Sequence, residues 1–389
     1  MYDSTSRVAE SLAPYGTSVF TRITDLANRH SAVNLSQGFP DFDGPLAVRR
    51  AAADAILEGP NQYAPSIGTP PLRKAVAAKT ERFYGVSVCP DTEVTVTAGA
   101  SEGLAAALLG LINSGDEVIL LDPSYDLYPP MVSRAGAVPV HVPIGLDGAL
   151  PKDLLAAAFS ERTRAIVINN PQNPCGKVFT EAELSFVADL CEKHDALVIG
   201  DEVYEHLVYD GRPHRTLLAV PKLRSRAAVI SSTAKTFSMT GWKVGYVIAA
   251  PGITAGIRAA HQFITFCTSA AFQNAMASAI ASDDTYYETL NRDYTARRDR
   301  LSETLFGVGF EVLPTEGTYF LNVRIDRARF EDDLDFCERM TKEAGVAAVP
   351  TSFFYENRSG GRDIARFCFC KKDETLAEAE KRLSAWKIK

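Results

Sequence analysis

The chain has no long hydrophobic run. Its longest apolar stretch, Leu104 to Ile112, falls far short of the roughly 20 residues that cross a bilayer, and it reads as a buried helix. The opening segment Met1-Tyr2-Asp3-Ser4-Thr5-Ser6-Arg7 is not followed by the apolar core of a signal peptide. Positive charge is in deficit: 41 Lys and Arg against 48 Asp and Glu leave a net charge of −7. That balance offers no electrostatic reason to expect nucleic acid or an anionic membrane as partner. Cysteines are few and odd in number, seven in all. The one close pair, Cys368-Phe369-Cys370, alternates as a strand does instead of taking metal-ligand spacing. Reduced, mostly buried thiols in a cytoplasmic protein are therefore expected. The six histidines show no ligand spacing either, so no metal site is expected. There is no G-x-x-x-x-G-K-[ST] phosphate loop. The one G-x-G-like run, Gly307-Val308-Gly309, follows a helical pattern and lacks a third glycine, which leaves a dinucleotide-binding reading without support.

What is present is ordinary globular composition, 46% hydrophobic and 23% charged over 389 residues. That length exceeds the size at which single cores stop growing, and two lobes are expected. Short β-branched runs recur at Val94–Thr97, Val118–Leu121, Val138–Val142, Ala165–Ile168, Leu197–Gly200, Ala228–Ile230 and Val244–Ala249. Helix-length stretches such as Ser101–Asn113 and Thr180–His194 separate them. Apolar strands alternating with helices imply an α/β fold with a mostly parallel sheet sandwiched by helices. In such sheets ligands sit at the carboxyl ends of the strands. From Asp284 to Leu305 the sequence reads as a long exposed helix. Beyond it, Tyr319–Val323, Val346–Val349 and Ala365–Phe369 read as strands of a smaller α+β lobe closed by the helix Asp373–Trp386. The expected organisation is an arm over residues 1–43 that belongs with the small lobe, a large lobe over 44–285 and the small lobe over 286–389.

The residues after these strands carry the chemistry. Lys235, in Ser231-Ser232-Thr233-Ala234-Lys235-Thr236, lies on an expected loop between two strands. A lysine amine can hold an aldehyde cofactor as a Schiff base, although most lysines are surface charges. Asp201 ends the strand Leu197–Gly200, with Tyr204 three residues on. A carboxylate there can pair with a cationic ring nitrogen, or be a solvated turn acid. Asn173 sits in a stiff loop, Asn169-Asn170-Pro171-Gln172-Asn173-Pro174-Cys175-Gly176, that plain turn chemistry would also explain. Ala98-Gly99-Ala100-Ser101-Glu102-Gly103 opens a helix, with Ser101 as expected cap, and small residues there let backbone N–H groups approach a phosphate. Tyr125 follows the strand Val118–Leu121, placed either to stack on a flat ring or to pack. Arg366, between apolar neighbours on a strand, can hold a carboxylate bidentately or serve an internal ion pair.

The order of these signals resembles that of the fold type I pyridoxal-phosphate aminotransferases, from about Gly16 to the C-terminus. Asn34-Leu35-Ser36-Gln37-Gly38-Phe39-Pro40-Asp41-Phe42, Asn61-Gln62-Tyr63-Ala64-Pro65, Asp201-Glu202-Val203-Tyr204-Glu205-His206 and Lys235 through Gly245 are similar to the methionine and kynurenine aminotransferase branch. The resemblance implies a large domain with a mostly parallel seven-stranded sheet plus a smaller domain, and pyridoxal 5'-phosphate as cofactor. By the same resemblance Lys235 is tether and acid/base catalyst, and Asp201 pairs with the pyridine nitrogen. Asn173 and Tyr204 hydrogen-bond the ring oxygen, and Tyr125 stacks on the ring. Ala100, Ser101, Ser232 and Lys243 hold the phosphate, with Tyr63 reaching it from the second subunit of a homodimer. Many members carry arginine where this chain has Lys243, which keeps the charge and loses the fork. Arg366, Asn173 and the Gly38 backbone bind the substrate carboxylate. Phe20, Tyr63, Tyr125 and the partner-derived Phe266 line a pocket for apolar, thioether or aromatic side chains. The implied reaction moves an amino group from methionine, or another neutral or aromatic amino acid, to a 2-oxo acid by a ping-pong route. A kynurenine–oxoglutarate transaminase with cysteine-conjugate β-lyase activity shares the scaffold and is the alternative. A non-catalytic regulator would add a basic DNA-binding module, and the chain shows no such extension.

Overall fold

Seven of the apolar runs pair into one sheet. From edge to edge its strands are Val94–Thr97, Gly245–Ala249, Ala227–Ser232, Leu197–Asp201, Thr163–Asn169, Glu117–Asp122 and Val138–Pro143. This computed structural model describes residues 8–16, 18–145 and 148–387. Residues 1–7, read above for a signal sequence, lie outside them. All neighbouring strands are parallel except where Gly245–Ala249 pairs antiparallel with both Val94–Thr97 and Ala227–Ser232. The reversal has a local cause. The connection from Ser232 to Gly245 is spent on two tight turns, Thr233–Thr236 and Thr240–Trp242, and carries no helix long enough to serve as a parallel crossover.

Alternation along the strands puts apolar side chains on both faces. Val118 and Leu120 join Ala165, Val167, Ile199 and Ile230 beneath the helices Gly99–Leu111 and Pro251–Ile264. Ile119 and Leu121 turn the other way, into a core with Ile166, Ile168, Val198 and Val229. The two helices on the first face cross at Gly110 and Gly256, where a Cβ on Gly110 would lie 2.3 Å from the Gly256 carbonyl oxygen. Among the described residues no helix is long and apolar enough to cross a membrane. The α/β architecture, with its mostly parallel seven-stranded sheet between helices and a smaller α+β unit, is the one the strand pattern implies.

The remaining strands, Val349–Pro350, Ile364–Cys368, Phe320–Arg324 and Glu311–Val312, form an antiparallel sheet. Its core holds Phe336, Phe367 and Phe369 together with Val19, Ile23 and Ala27 from the helix Val19–Arg29. The arm carries a strand, Val33–Asn34, parallel to Val346–Ala347. Two local readings change. The run Val346–Val349 splits at Ala348, because its first half serves the arm and its second half pairs with Ala365 and Arg366. The helix Asp284–Gly307 is not exposed all round: Tyr287, Leu290, Tyr294, Leu301 and Leu305 are buried at helical spacing.

Candidate active site

The carboxyl ends of the central strands open into a cleft of about 330 Å³ between the two sheets. Phe20, Gly38, Ala100, Ser101, Tyr125, Asn173, Asp201, Tyr204, Ser232, Lys235, Lys243 and Arg366 all line it. Residues spread over most of the sequence thus meet at one place. Tyr63 and Phe266 do not line it. They meet edge to face, ring centroids 5.5 Å apart, with Tyr63 85% exposed.

One end of the cleft suits an anion. The helix Gly99–Leu111 starts two residues earlier than expected, so Ser101 is its third residue and not its cap. Gly99 enters the helix at φ +76°, which glycine adopts without strain, and the Glu102 carboxylate accepts from the Ala98 N–H at 3.1 Å in place of a capping side chain. Gly99, Ala100 and Ser101, in the first turn at the positive end of the helix dipole, line the cleft. A Cβ on Gly245 would come within 2.5 Å of the Gly99 carbonyl carbon, and one on Gly99 would meet the Lys243 Cε at 3.3 Å. Only glycines allow this close cradle, with Lys243 and the Ser232 hydroxyl at its rim.

Asp201 sits deeper, at the end of its strand and 4% exposed. Tyr128 donates to its Oδ2 at 2.7 Å and the Val203 N–H to its Oδ1 at 3.3 Å. Burial pushes the Asp201 carboxyl above its ordinary range, and these two donors with the Lys235 amine oppose that push. Lys235 lies on a single helical turn, Thr233–Thr236, and not on a loop, because the Ser232 hydroxyl accepts from the Ala234 N–H and caps it. Its Nζ donates to the Tyr319 hydroxyl at 2.8 Å and lies 3.4 Å from the Gly38 carbonyl. Burial lowers the Lys235 pKa, against the pull of Cys370, Cys368 and Asp201.

The far end holds Arg366, 1% exposed. Its Nη1 donates to Asn173 Oδ1 at 2.7 Å and its Nη2 to the Ser36 carbonyl at 3.1 Å, while Nε has no partner. The Phe320 ring lies 3.8 Å from its guanidinium carbon, with Phe20 and Phe354 slightly farther. Asp126 is near enough to act on it electrostatically, yet accepts its hydrogen bond from Ser18. No carboxylate among the described residues bonds Arg366, so the internal ion pair, the alternative for this residue, is not formed. Burial lowers the Arg366 pKa for the same reason. A buried cation without an acid is unfavourable unless something else supplies the negative charge.

The Aminotransferase class I and II family model matches residues 30–383. This chain belongs to the class I and II aminotransferases. Probable N-succinyldiaminopimelate aminotransferase DapC of Mycobacterium tuberculosis is 44% identical over 96% of this chain and 97% of its own length. Methionine aminotransferase of Escherichia coli is 42% identical over 96% of each. Kynurenine–oxoglutarate transaminase 3 of Homo sapiens is 36% identical over 95% of this chain and 88% of its own. The M. tuberculosis structure superposes with a TM-score of 0.94, covering 97% of this aminotransferase and 99% of that chain. Aspartate aminotransferase from Thermus thermophilus does so at 0.89 with 30% identity, covering 97% and 99%. The aminotransferase is accordingly a fold type I enzyme that depends on pyridoxal phosphate and acts on amino and 2-oxo acids. Sequence reasoning missed Tyr128, which holds Asp201, and Tyr319, which holds Lys235. Tyr128 is three residues past Tyr125 at a helix start, a spacing that could have suggested a shared site; Tyr319 carries no local signal.

Proposed function

We propose that this aminotransferase takes the amino group of methionine or another neutral or aromatic amino acid and passes it to a 2-oxo acid. The observation that carries this reading is Arg366, a buried cation with an open donor and aromatic rings around it. One carboxylate, the one every amino acid carries, answers its charge. Rings at Phe20, Tyr125 and Phe320 then meet the side chain, and they favour a thioether or an aromatic group over a second carboxylate.

The residues present fit the cofactor. The Gly99–Gly245 cradle, the first turn of the helix, Ser101, Ser232 and Lys243 supply a phosphate seat. Asp201, whose carboxyl oxygens accept from Tyr128 and the Val203 N–H, is placed to pair with a protonated ring nitrogen, and Tyr125 to cover the ring. Asn173, whose Oδ1 is taken by Arg366, has its amide hydrogens for a ring oxygen, alongside Tyr204. When bound, pyridoxal phosphate supplies an aldehyde carbon to receive the amino group and a ring that accepts electrons from Cα. Lys235 tethers it at rest and, once displaced, moves the Cα proton. A single movable amine suits a proton taken and returned on one face.

Tyr63, Phe263, Ile264 and Phe266 are large side chains left on the surface, with Phe263 89% exposed. We read this patch as the homodimer face, through which Tyr63 and Phe266 reach the second subunit's cleft. The arm and lobe limits proposed are those near residues 43 and 285.

Relatives named for N-succinyldiaminopimelate keep a second donor in view. Steady-state assays of methionine, kynurenine, aspartate and N-succinyldiaminopimelate against a panel of 2-oxo acids decide between them. Methionine or an aromatic donor is expected to show the highest kcat/KM; a higher value for aspartate or the succinylated donor refutes the reading.

A further inference from the structure

Tyr319, which meets the cleft residue Lys235 through its hydroxyl, has an over-determined placement. The residue before it, Thr318, is β-branched and held at φ +71°, a conformation that costs free energy and persists only under constraint. The constraint is visible: the Thr318 N–H donates to the Leu207 carbonyl at 2.9 Å, and the Thr318 carbonyl accepts from the Tyr209 hydroxyl at 2.5 Å. The Tyr319 ring, wholly buried, is wedged by Tyr204 at 5.1 Å and Phe320 at 4.8 Å, both edge to face, with Tyr294 stacked beyond. Neither the ring nor its backbone has freedom left.

This fixed ring presents a hydroxyl with defined polarity. The Tyr204 hydroxyl also bonds that of Tyr319, but Tyr319 Oη is 2.5 Å from the Gly38 carbonyl oxygen, which can only accept, and so short a contact requires the Tyr319 proton there. Its lone pairs are what remains for Lys235 Nζ at 2.8 Å. The Gly38 carbonyl, 3.4 Å from the same nitrogen, is also an acceptor. Lys235 therefore meets two acceptors and no donor in this position. We propose that Tyr319 is a positioning residue that seats the free Lys235 amine as a hydrogen-bond donor, holding its proton whenever the amine is released from the cofactor. The inference rests on the reading of Lys235 as tether and deepens it.

The seat works against its surroundings. Burial disfavours the ammonium, and Arg366 adds to that. Cys368 at the end of the strand Ile364–Cys368, Cys370 just past it, and Asp201 favour it, as do the two acceptors. Tyr204, whose ring lies 5.7 Å from Nζ, completes the groups facing it.

The test uses the holoenzyme converted to its amino form with excess donor, so that the lysine amine is free. Brief acetic anhydride labelling across pH, read by mass spectrometry on the Lys235 peptide, gives the midpoint of that amine. In Tyr319→Phe the midpoint is expected to fall by about one unit, with labelling below it about tenfold faster. An unmoved midpoint in Tyr319→Phe, in a protein that melts as the parent does, overturns the seat. Borohydride reduction of the resting enzyme and peptide mapping separate this failure from that of the underlying reading. Cofactor on another lysine overturns the tether assignment, and the seat with it.

Discussion

Two buried cations, Lys79 and Arg366, are handled in opposite ways. Lys79 is 4% exposed and pairs with Glu205, itself 3% exposed, while the Tyr246 hydroxyl lies 3.1 Å from its Nζ. Glu205 in turn accepts from Ser231 at 2.6 Å, Tyr246 at 3.0 Å and Tyr84. Burial alone would push the Glu205 carboxyl up, but the Lys79 ammonium overrides it and holds it well below the ordinary carboxylate range. Every charge in that network is closed by protein. Arg366 has two neutral acceptors, no acid and an idle Nε. On the proposed reading the difference separates structure from function: a closed charge maintains the fold, and an open one would receive a ligand. Lys235 stands between them, seated but by neutral oxygens that it can leave.

The sharpest way to break this contrast is at the movable cation. Lys235→Ala should lower kcat by about 10⁴-fold and abolish the near-visible absorbance of the tethered cofactor, while melting as the parent does; an unchanged spectrum would sink the assignment. Next comes the closed charge. Lys79→Met leaves Glu205 buried and unpaired, and chemical denaturation should show a loss of about 3–5 kcal/mol with KM for the amino donor little changed. Because the folded-state pKa of Glu205 is depressed, its contribution is present above the unfolded carboxylate range and fades as pH falls. The stability gap between parent and variant should therefore narrow below about pH 4. A gap that widened there would show the pair is not what holds Glu205 ionised.

The open charge should behave in the reverse sense. Arg366→Gln is expected to cost about 100-fold in kcat/KM, roughly 2.7 kcal/mol, mostly through KM, with a melting temperature unchanged or higher. If this variant instead unfolded while KM held, the division into closed and open charges would fail. Smallest is Tyr128→Phe. Removing a donor to Asp201 raises a carboxyl that burial has already pushed up, so the acid limb of kcat/KM should move to higher pH, by less than about one unit. An acid limb that moved to lower pH would contradict the assigned role of that hydrogen bond.

Strands were legible because the large sheet is buried on both faces, so each announces itself as a continuous apolar run. Asp201, Asn173 and Ser101 were legible for a related reason: each follows such a run, where ligands gather. Tyr319 and the Lys79–Glu205 pair were not, since their meaning lies in partners far along the chain and in rings that look like core. The turn at Lys235 reads as loop because a single helical turn leaves no periodic pattern. The split at Ala348 was hidden by the same logic, as both halves of the run are equally apolar and only their partners differ.

That split has a mechanical consequence. Val346–Ala347 is bonded to the arm strand Val33–Asn34, and Val349–Pro350 to the strand of Arg366. The Cys368 N–H donates to the Leu35 carbonyl at 2.8 Å, and Arg366 itself reaches the Ser36 carbonyl. Gly38 and Arg366, the two walls that would grip a substrate carboxylate, are thus riveted to one plate. A hinge between that plate and the large sheet would change the gap to Asp201 and leave the grip itself at constant width.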